Sequence, residues 1–439
     1  MMLQSIRGLL ASIARLRSVT TAEAARPPPQ WLRNEEPLRD YAPGGFLPVH
    51  LGDLFYNGRY RVVGKLGWGA EGTVWLVHDE QKGKYVALKV LRADAHVSEY
   101  KRLVNLYERF HAKDPQGQQH HIAPLLDHFQ HSGTSKGCHF CLVSEVLGPS
   151  LAHLNRAYSW ESTPERIIKI LARQLFSTLN FLHHDCRVVH GDLKPTNILL
   201  ALPQVARSTA ALQKHLDQAP AEKHLIDGNV GGLDNGTLPK YIVRSQQPFP
   251  QDAYGNSVTP CIKLIDFTCA IDVDSPSRPP TIEPLEFWAP EVILGYHWTE
   301  AAEIWAAALV IYYTWARYNL IEPKDGATRD PPLTPETEML VQMTMFFGPI
   351  PPKLIQDGEN RGLYYKRNHD TNEMELKHAR IEISYPLRNL LQHSGPAALR
   401  SSPEQLEAFA CFLDTMLNND PERRDTAGQV IMHPWLTSE

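Results

Sequence analysis

Three polar side chains within one short stretch are typed and spaced to move a phosphoryl group. The run Val188-Val189-His190-Gly191-Asp192-Leu193-Lys194-Pro195-Thr196-Asn197-Ile198-Leu199-Leu200 sets an aspartate, a lysine and an asparagine between apolar flanks. Those flanks can fix a polar loop against a core. Asp192 is suited to accept the proton of an attacking hydroxyl, Lys194 to neutralise the transferring phosphoryl, and Asn197 to hold a magnesium ion. Farther along, Ile262-Lys263-Leu264-Ile265-Asp266-Phe267 puts a carboxylate at the end of an apolar strand. Magnesium favours one or two carboxylates completed by phosphate oxygens, which this set supplies.

A second cluster suits the phosphates. Gly67-Trp68-Gly69-Ala70-Glu71-Gly72-Thr73-Val74 has the spacing GxGxxGxV, which dinucleotide-binding folds share. In those folds the glycines open a helix. Here Thr73-Val74-Trp75-Leu76-Val77 reads as a strand, so the glycines form a turn between antiparallel strands that can fold over a triphosphate. Fifteen residues after Val74, Val86-Ala87-Leu88-Lys89 sets a single lysine on an apolar strand, suited to an α/β-phosphate contact.

Period-two alternation predicts the strands that carry these groups, over residues 59–66, 74–78, 85–90 and 139–146. An amphipathic helix follows over 165–184, with Ile168, Leu171, Leu175, Leu179 and Leu182 on one face. Helical patterning dominates afterwards, notably over 299–316, 334–347 and 403–417. A strand-rich part before a helix-rich part predicts an α+β, two-lobed architecture. Residues 201–260, rich in Gln, Pro, Gly and Asn, read as an insertion loop. The expected divisions are an N-terminal arm (1–35), a lead-in segment (36–59), a small lobe (60–146) and a large lobe (147–437).

Composition removes other classes. With 43% hydrophobic and 21% charged residues, the 439-residue chain can bury a large core. A formal net charge of only −5 argues against coating nucleic acid or anionic membrane as its main work. No run of 18 apolar residues occurs, so no membrane-spanning helix is expected. Six cysteines are too few for a disulfide framework and favour a reducing compartment. Cys138-His139-Phe140-Cys141 is nominally a CxxC, but it lies in a strand with no second pair, so packing is the expected role for Cys141. The first 22 residues carry Arg7, Arg15 and Arg17 without an acid, and Leu3, Ile6, Leu10, Ile13 and Leu16 at helical spacing. Either a mitochondrial presequence or a solvated arm fits that pattern.

Taken in order, these motifs resemble the eukaryotic protein kinases over about residues 60–436. Ala289-Pro290-Glu291 looks like the family's APE motif, and Asp420 to Arg424 with His433 to Leu436 resemble its last helices. The resemblance implies a small antiparallel β-sheet lobe with one helix and a larger helical lobe. It implies ATP enclosed by Gly67, Gly69, Gly72, Val74, Ala87, Lys89, Glu145, Leu147 and Leu199, with Mg2+ on Asn197 and Asp266. It also implies catalysis by Asp192 and Lys194, a Glu291–Arg424 pair, and a glutamate paired with Lys89. Glu99 and Glu108 are the candidates for that glutamate. Glu99 is preferred because Leu103, four residues on, would then lie beside Phe267 and His190.

A narrower resemblance is to the SR-protein kinases. It rests on Lys65-Leu66-Gly67-Trp68-Gly69, Thr73-Val74-Trp75-Leu76, Glu145-Val146-Leu147-Gly148, His190-Gly191-Asp192, Glu291 to Gly295, Ile304-Trp305, and Phe347-Gly348 with Pro351 to Ile355. The insertion sits where those kinases carry a spacer. This likeness implies a monomeric serine/threonine kinase acting on basic or arginine/serine-rich protein segments. It further implies RNA-processing substrates, a cytoplasmic or nuclear location unless the arm is a presequence, and no direct nucleic-acid contact.

Four departures stand out. Gly191 replaces the arginine that reads an activating phosphate, which predicts activity independent of such phosphorylation. Thr268 stands for the glycine of the metal-binding motif, Glu303 for the aspartate beneath the catalytic loop, and Pro284 for a threonine near Asp192 and Lys194. Thr268, Pro284 and Glu303 motivate an alternative reading, a pseudokinase scaffold that binds ATP or a protein without phosphoryl transfer. Ser144 occupies the gatekeeper position behind adenine.

Overall fold

In the computed structural model, which describes residues 29–115, 120–132, 137–157, 164–226, 238–247, 259–275, 284–323, 332–379, 384–393 and 402–438, alternating burial builds one six-stranded antiparallel sheet. Its strands are β1 (Leu54–Phe55), β2 (Tyr60–Gly69), β3 (Gly72–Asp79), β4 (Lys84–Leu91), β5 (Leu125–Ser132) and β6 (Cys138–Ser144), in the order β1-β2-β3-β4-β6-β5. One face buries Val62, Trp75, Val77, Val86, Leu88 and Val143 together. Helix α1 (Val97–Lys113) turns Tyr100, Leu103, Val104, Leu106 and Phe110 into the core. Strand β5 escapes sequence reading because, as an edge strand, it exposes most of its polar residues.

The larger lobe is helical, as the patterning predicts. Helix α2 (Glu165–Asn180) buries Ile168, Leu171, Leu175 and Leu179, and a π turn over Phe181–Asp185 continues it. Helix α3 (Thr209–Gln218) lies in the insertion. Helix α4 (Ala301–Ala316) is buried along nearly all of its length, Trp305 and Tyr312 completely. It is the axis on which the lobe is built. Helices α5 (Pro335–Phe347) and α6 (Pro403–Asp414) pack outside it. A helix apolar on every side belongs in an interior, so one buried carboxylate on it, Glu303, calls for explanation. No helix among the described residues is long and apolar enough to cross a membrane.

Short ladders place the polar loops. Strand β7 (Leu147–Ser150) and β12 (Ile262–Leu264) both pair with β9 (Ile198–Ala201), and β8 (Val188–Val189) pairs with β13 (Ile271–Asp272). Residues 190–197 therefore run from β8 to β9, and residues 265–270 run from β12 to β13. The two loops cross between the same pair of ladders and must lie side by side.

The insertion is more ordered than a loop. Ser208 caps α3 by accepting the Ala211 amide hydrogen, and Leu212 packs with Leu76, Tyr85 and Val146. Strands β10 (Lys223–Leu225) and β11 (Tyr241–Val243) form a ladder. Together with residues 35–41 this ladder closes around Lys65 on β2. The Lys65 ammonium, fully buried, contacts Glu35 at 2.8 Å, Glu36, and the Val243 carbonyl at 3.2 Å. Ser245 donates to Glu35 from its amide and its hydroxyl, both at 2.7 Å, and Tyr41 donates to Glu36 at 2.7 Å. Of the arm expected over residues 1–35, residues 1–28 lie outside the described residues, and residues 30–34 form a 3-10 turn that leads into Glu35.

Candidate active site

The β2–β3 register pairs Gly67 with Val74 and Gly69 with Gly72, so Ala70 and Glu71 form an exposed hairpin tip. A Cβ at Gly72 would lie 2.2 Å from the Val90 carbonyl oxygen, so glycine is required there for β3 to approach β4. Lys89 stands opposite Val74 on β4, and Ala87 opposite Leu76. Ala87 also faces Ser144 across the β4–β6 ladder, and Leu147 and Leu199 lie on the paired strands β7 and β9. The expected phosphate and nucleotide residues thus line adjoining strands of the two lobes.

The Lys89 ammonium contacts Asp266 Oδ1 at 2.8 Å, and the Thr268 hydroxyl donates to the same oxygen at 3.0 Å. Burial opposes ionisation of Asp266. The adjacent Lys89 charge, with the hydrogen bonds from Lys89 and Thr268, outweighs burial and holds the carboxyl below its ordinary range. Thr268, which stands where the expected motif has glycine, thereby adds a bond to the carboxylate expected to hold a metal.

In the neighbouring loop, Lys194 Nζ lies 2.8 Å from Asp192 Oδ2. Asn197 Nδ2 donates to the Asp192 carbonyl at 2.8 Å and to its Oδ2 at 2.9 Å. That leaves Asn197 Oδ1 for another partner. The Ile265 amide donates to the Asn197 carbonyl at 3.0 Å, which joins the two loops beside their functional side chains. His190 is fixed in one tautomer. Its Nδ1 accepts from the Asp192 amide, and its Nε2–H donates to the Ile265 carbonyl at 2.9 Å.

Glu303 anchors this loop from beneath. Its carboxylate accepts from the Gly191 amide at 3.0 Å, the His190 amide at 3.3 Å and His183 Nε2 at 2.6 Å. Burial would raise its pKa, but the His183 bond, the nearby histidines and the Gly191 amide bring it below the ordinary value of 4.5. The added methylene that distinguishes it from aspartate is absorbed without losing either backbone amide. His183, in the π turn, was not legible as a partner because nothing in its local sequence marks it.

The partner proposed for Lys89 needs correction. Glu99 is exposed in the first turn of α1, and Glu108 is exposed as well. Among the described residues, the carboxylate paired with Lys89 is that of Asp266. The inward stripe of α1 is apolar at Tyr100, Leu103, Val104 and Phe110, and both glutamates fall off it. Leu103 is buried, but the rings packed on Phe267, where Leu103 was expected, are Tyr107 at 5.7 Å, Phe110 at 5.0 Å and His190 at 4.7 Å. The residue one turn before Tyr107 is Leu103, so α1 presents a leucine where a carboxylate was sought.

The Glu291–Arg424 pair is present. The guanidinium makes two bonds to the carboxylate, at 2.6 and 2.8 Å, with both side chains fully buried. The fork geometry and the Arg424 stack on Trp305, 5.0 Å away, tie the segment before α4 to the end of the chain. Cys138 is exposed and Cys141 buried on the opposite face of β6, both free, and no cluster of three metal-ligating side chains occurs among the described residues.

Comparison with known proteins agrees with this geometry. A family model described as the protein kinase domain matches residues 60–208 and 252–436. The chain is 26% identical over 478 residues to protein kinase dsk1 of Schizosaccharomyces pombe, across 92% of this chain and 85% of the relative. It is 27% identical over 409 residues to serine/threonine-protein kinase SRPK of Physarum polycephalum, across 92% and 91%. Over a shorter stretch of 172 residues, 38% of this chain and 30% of the relative, it is 40% identical to SRSF protein kinase 3 of Mus musculus.

Proposed function

The chain belongs to the protein kinase family, and from that premise we propose that it transfers the γ-phosphoryl group of Mg-ATP to serine in basic or arginine/serine-rich protein segments. The observation that carries this reading is the adjacency of two sets, Asp192–Lys194–Asn197 and Lys89–Asp266, joined by the Ile265–Asn197 backbone bond.

Each residue then has a task. The acceptor hydroxyl passes its proton to the Asp192 carboxylate as the oxygen attacks the γ-phosphorus and the bond to the ADP oxygen breaks. Lys194, already beside Asp192, offsets charge on the transferring group. Lys89 holds the α/β-phosphates and Asp266 together. The free Asn197 Oδ1 and the Asp266 carboxylate suit a hard divalent cation, and magnesium bound there would neutralise phosphate charge. Glu303 keeps the backbone of residues 190 and 191 fixed, so the base needs little reorganisation.

The serine and the basic context follow the chain's likeness to kinases of that type. Purified protein with Mg-ATP is offered an arginine/serine repeat peptide and a general basic protein, with Asp192→Asn as the blank. Faster transfer to the repeat supports both parts of the reading. Transfer to the general substrate alone removes the specificity. ATP binding without transfer above the blank overturns the proposal in favour of a scaffold.

A further inference from the structure

We propose that Arg102 is a positioning residue for Asp266, holding from helix α1 the turn that presents the metal-binding carboxylate; this rests on the kinase reading above. Asp266 has φ +67° and ψ +71°, left-handed backbone for a residue with a Cβ. Such a conformation is strained and persists only where the surroundings impose it. The following residues, Phe267–Cys269, form a single 3-10 turn, too short to hold itself.

Arg102 supplies the restraint. Its guanidinium donates through Nη2 to the Thr268 carbonyl at 2.6 Å and through Nη1 to the Ala270 carbonyl. Arginine's donors sit in a rigid fork, so gripping two carbonyls fixes their relative orientation as well as their distance. The same helix continues along the segment, with Tyr107 and Phe110 edge-on to Phe267 and Arg109 2.7 Å from Asp272. Lys89 receives no carboxylate from α1. The helix is therefore linked to the metal loop through Arg102 and the aromatic cage, and not through an ion pair with Lys89. Residue 102 is exposed, so shortening it opens no cavity.

The test compares full-length wild type, Arg102→Met, which keeps the stem without the donors, and Arg102→Lys. Three quantities are read: ATP affinity by calorimetry with and without Mg2+, amide exchange over residues 266–272, and kcat against Mg2+ concentration. Partners that orient a metal ligand are typically worth 10–100-fold, so Arg102→Met should lose about tenfold in the Mg2+-dependent gain in ATP affinity and in kcat. Metal-free ATP affinity and Tm should hold, exchange should accelerate, and lysine should restore part of the loss. An unchanged Mg2+ response and unchanged exchange would overturn the proposal. So would a lowered Tm with the Mg2+ response intact. Should wild type transfer no phosphate at all, the kinase reading fails, while metal-dependent affinity and exchange still decide the role of Arg102.

Discussion

Gly191 lies so close to Cys269 that a Cβ at position 191 would stand 2.6 Å from the Cys269 carbonyl oxygen. Its φ of +80° is also left-handed. The contact joins the loop of residues 190–197 to the end of the loop of residues 265–270, and it accounts for glycine at a position where many kinases carry arginine. Alanine here meets both the backbone strain and a carbonyl in the same 3-10 turn as Phe267. A displacement near 1 Å can cost about a hundredfold in rate, so Gly191→Ala should lower kcat by that order while peptide KM changes little. Steady-state kinetics with Tm as the folding control check this. Near-wild-type kcat would show that the two loops are not coupled at this point.

Glu303 gives the chain a defined acid sensitivity. Its pKa in the fold is below the ordinary 4.5, so the unfolded chain binds the proton more readily. The stability it contributes is present above about pH 4.5 and is lost as pH falls through the depressed folded value. Asp266, also depressed, acts in the same direction below its ordinary 3.8. Glu303→Gln has no charge to titrate. It should be less stable at pH 7, and its Tm should fall less than that of wild type between about pH 6 and pH 3.5. Parallel melting curves for the two proteins would show that other carboxylates set the acid limit.

Much of this site was readable from residue types in order, because the phosphate hairpin and the two polar loops are local in sequence. The predicted helices over 299–316 and 334–347 appear as Ala301–Ala316 and Pro335–Phe347, since long apolar patterns fix helices well. What escaped reading is non-local. Lys65 meets Glu35 and Glu36 only because the segment before the sheet folds back over β2. Arg102 meets carbonyls, which carry no sequence signature. Glu99 misled because a glutamate near the start of α1 matched an expected pair, whereas helical phase put it in solvent and Leu103 inside. The insertion hid a helix and a ladder because α3 buries one leucine deeply, too little for a periodic signal.

The Lys65 cluster should be needed for stability more than for chemistry. One ammonium buried against two carboxylates is satisfied only as a set. Tyr41 and Ser245 donate to the carboxylates, and the Val243 carbonyl accepts from the ammonium, which completes it. Removing one partner of a buried ionic group costs about 3–5 kcal/mol, because charge is left behind without a counterion. Lys65→Met should therefore lower stability steeply. Adding Glu35→Gln and Glu36→Gln to that variant should recover part of the loss. Denaturant unfolding of the single and triple variants measures the difference, and equal loss in both would show that packing at Lys65, rather than unpaired charge, is responsible.

Ser144 ends β6 at the place where the kinase reading puts the space behind adenine. It closes β6 directly across from Ala87 on β4 and pairs with Leu125 on β5. Its side chain is half-buried, and among the described residues its hydroxyl reaches the Glu145 carbonyl, at 3.4 Å. Serine opposite alanine leaves the ladder without a bulky group at the point where the hinge Glu145–Leu147 begins. A ring at position 144 would fill that space, and apolar pockets discriminate added bulk by about 10–200-fold. The protein should accept N6-benzyl ATP with a KM close to that for ATP, whereas Ser144→Phe should raise the analogue's KM by at least about tenfold and leave that for ATP nearly unchanged. Competition between the two nucleotides in the transfer assay measures both constants. Equal treatment of the analogue by the serine and phenylalanine forms would place the N6 position away from Ser144.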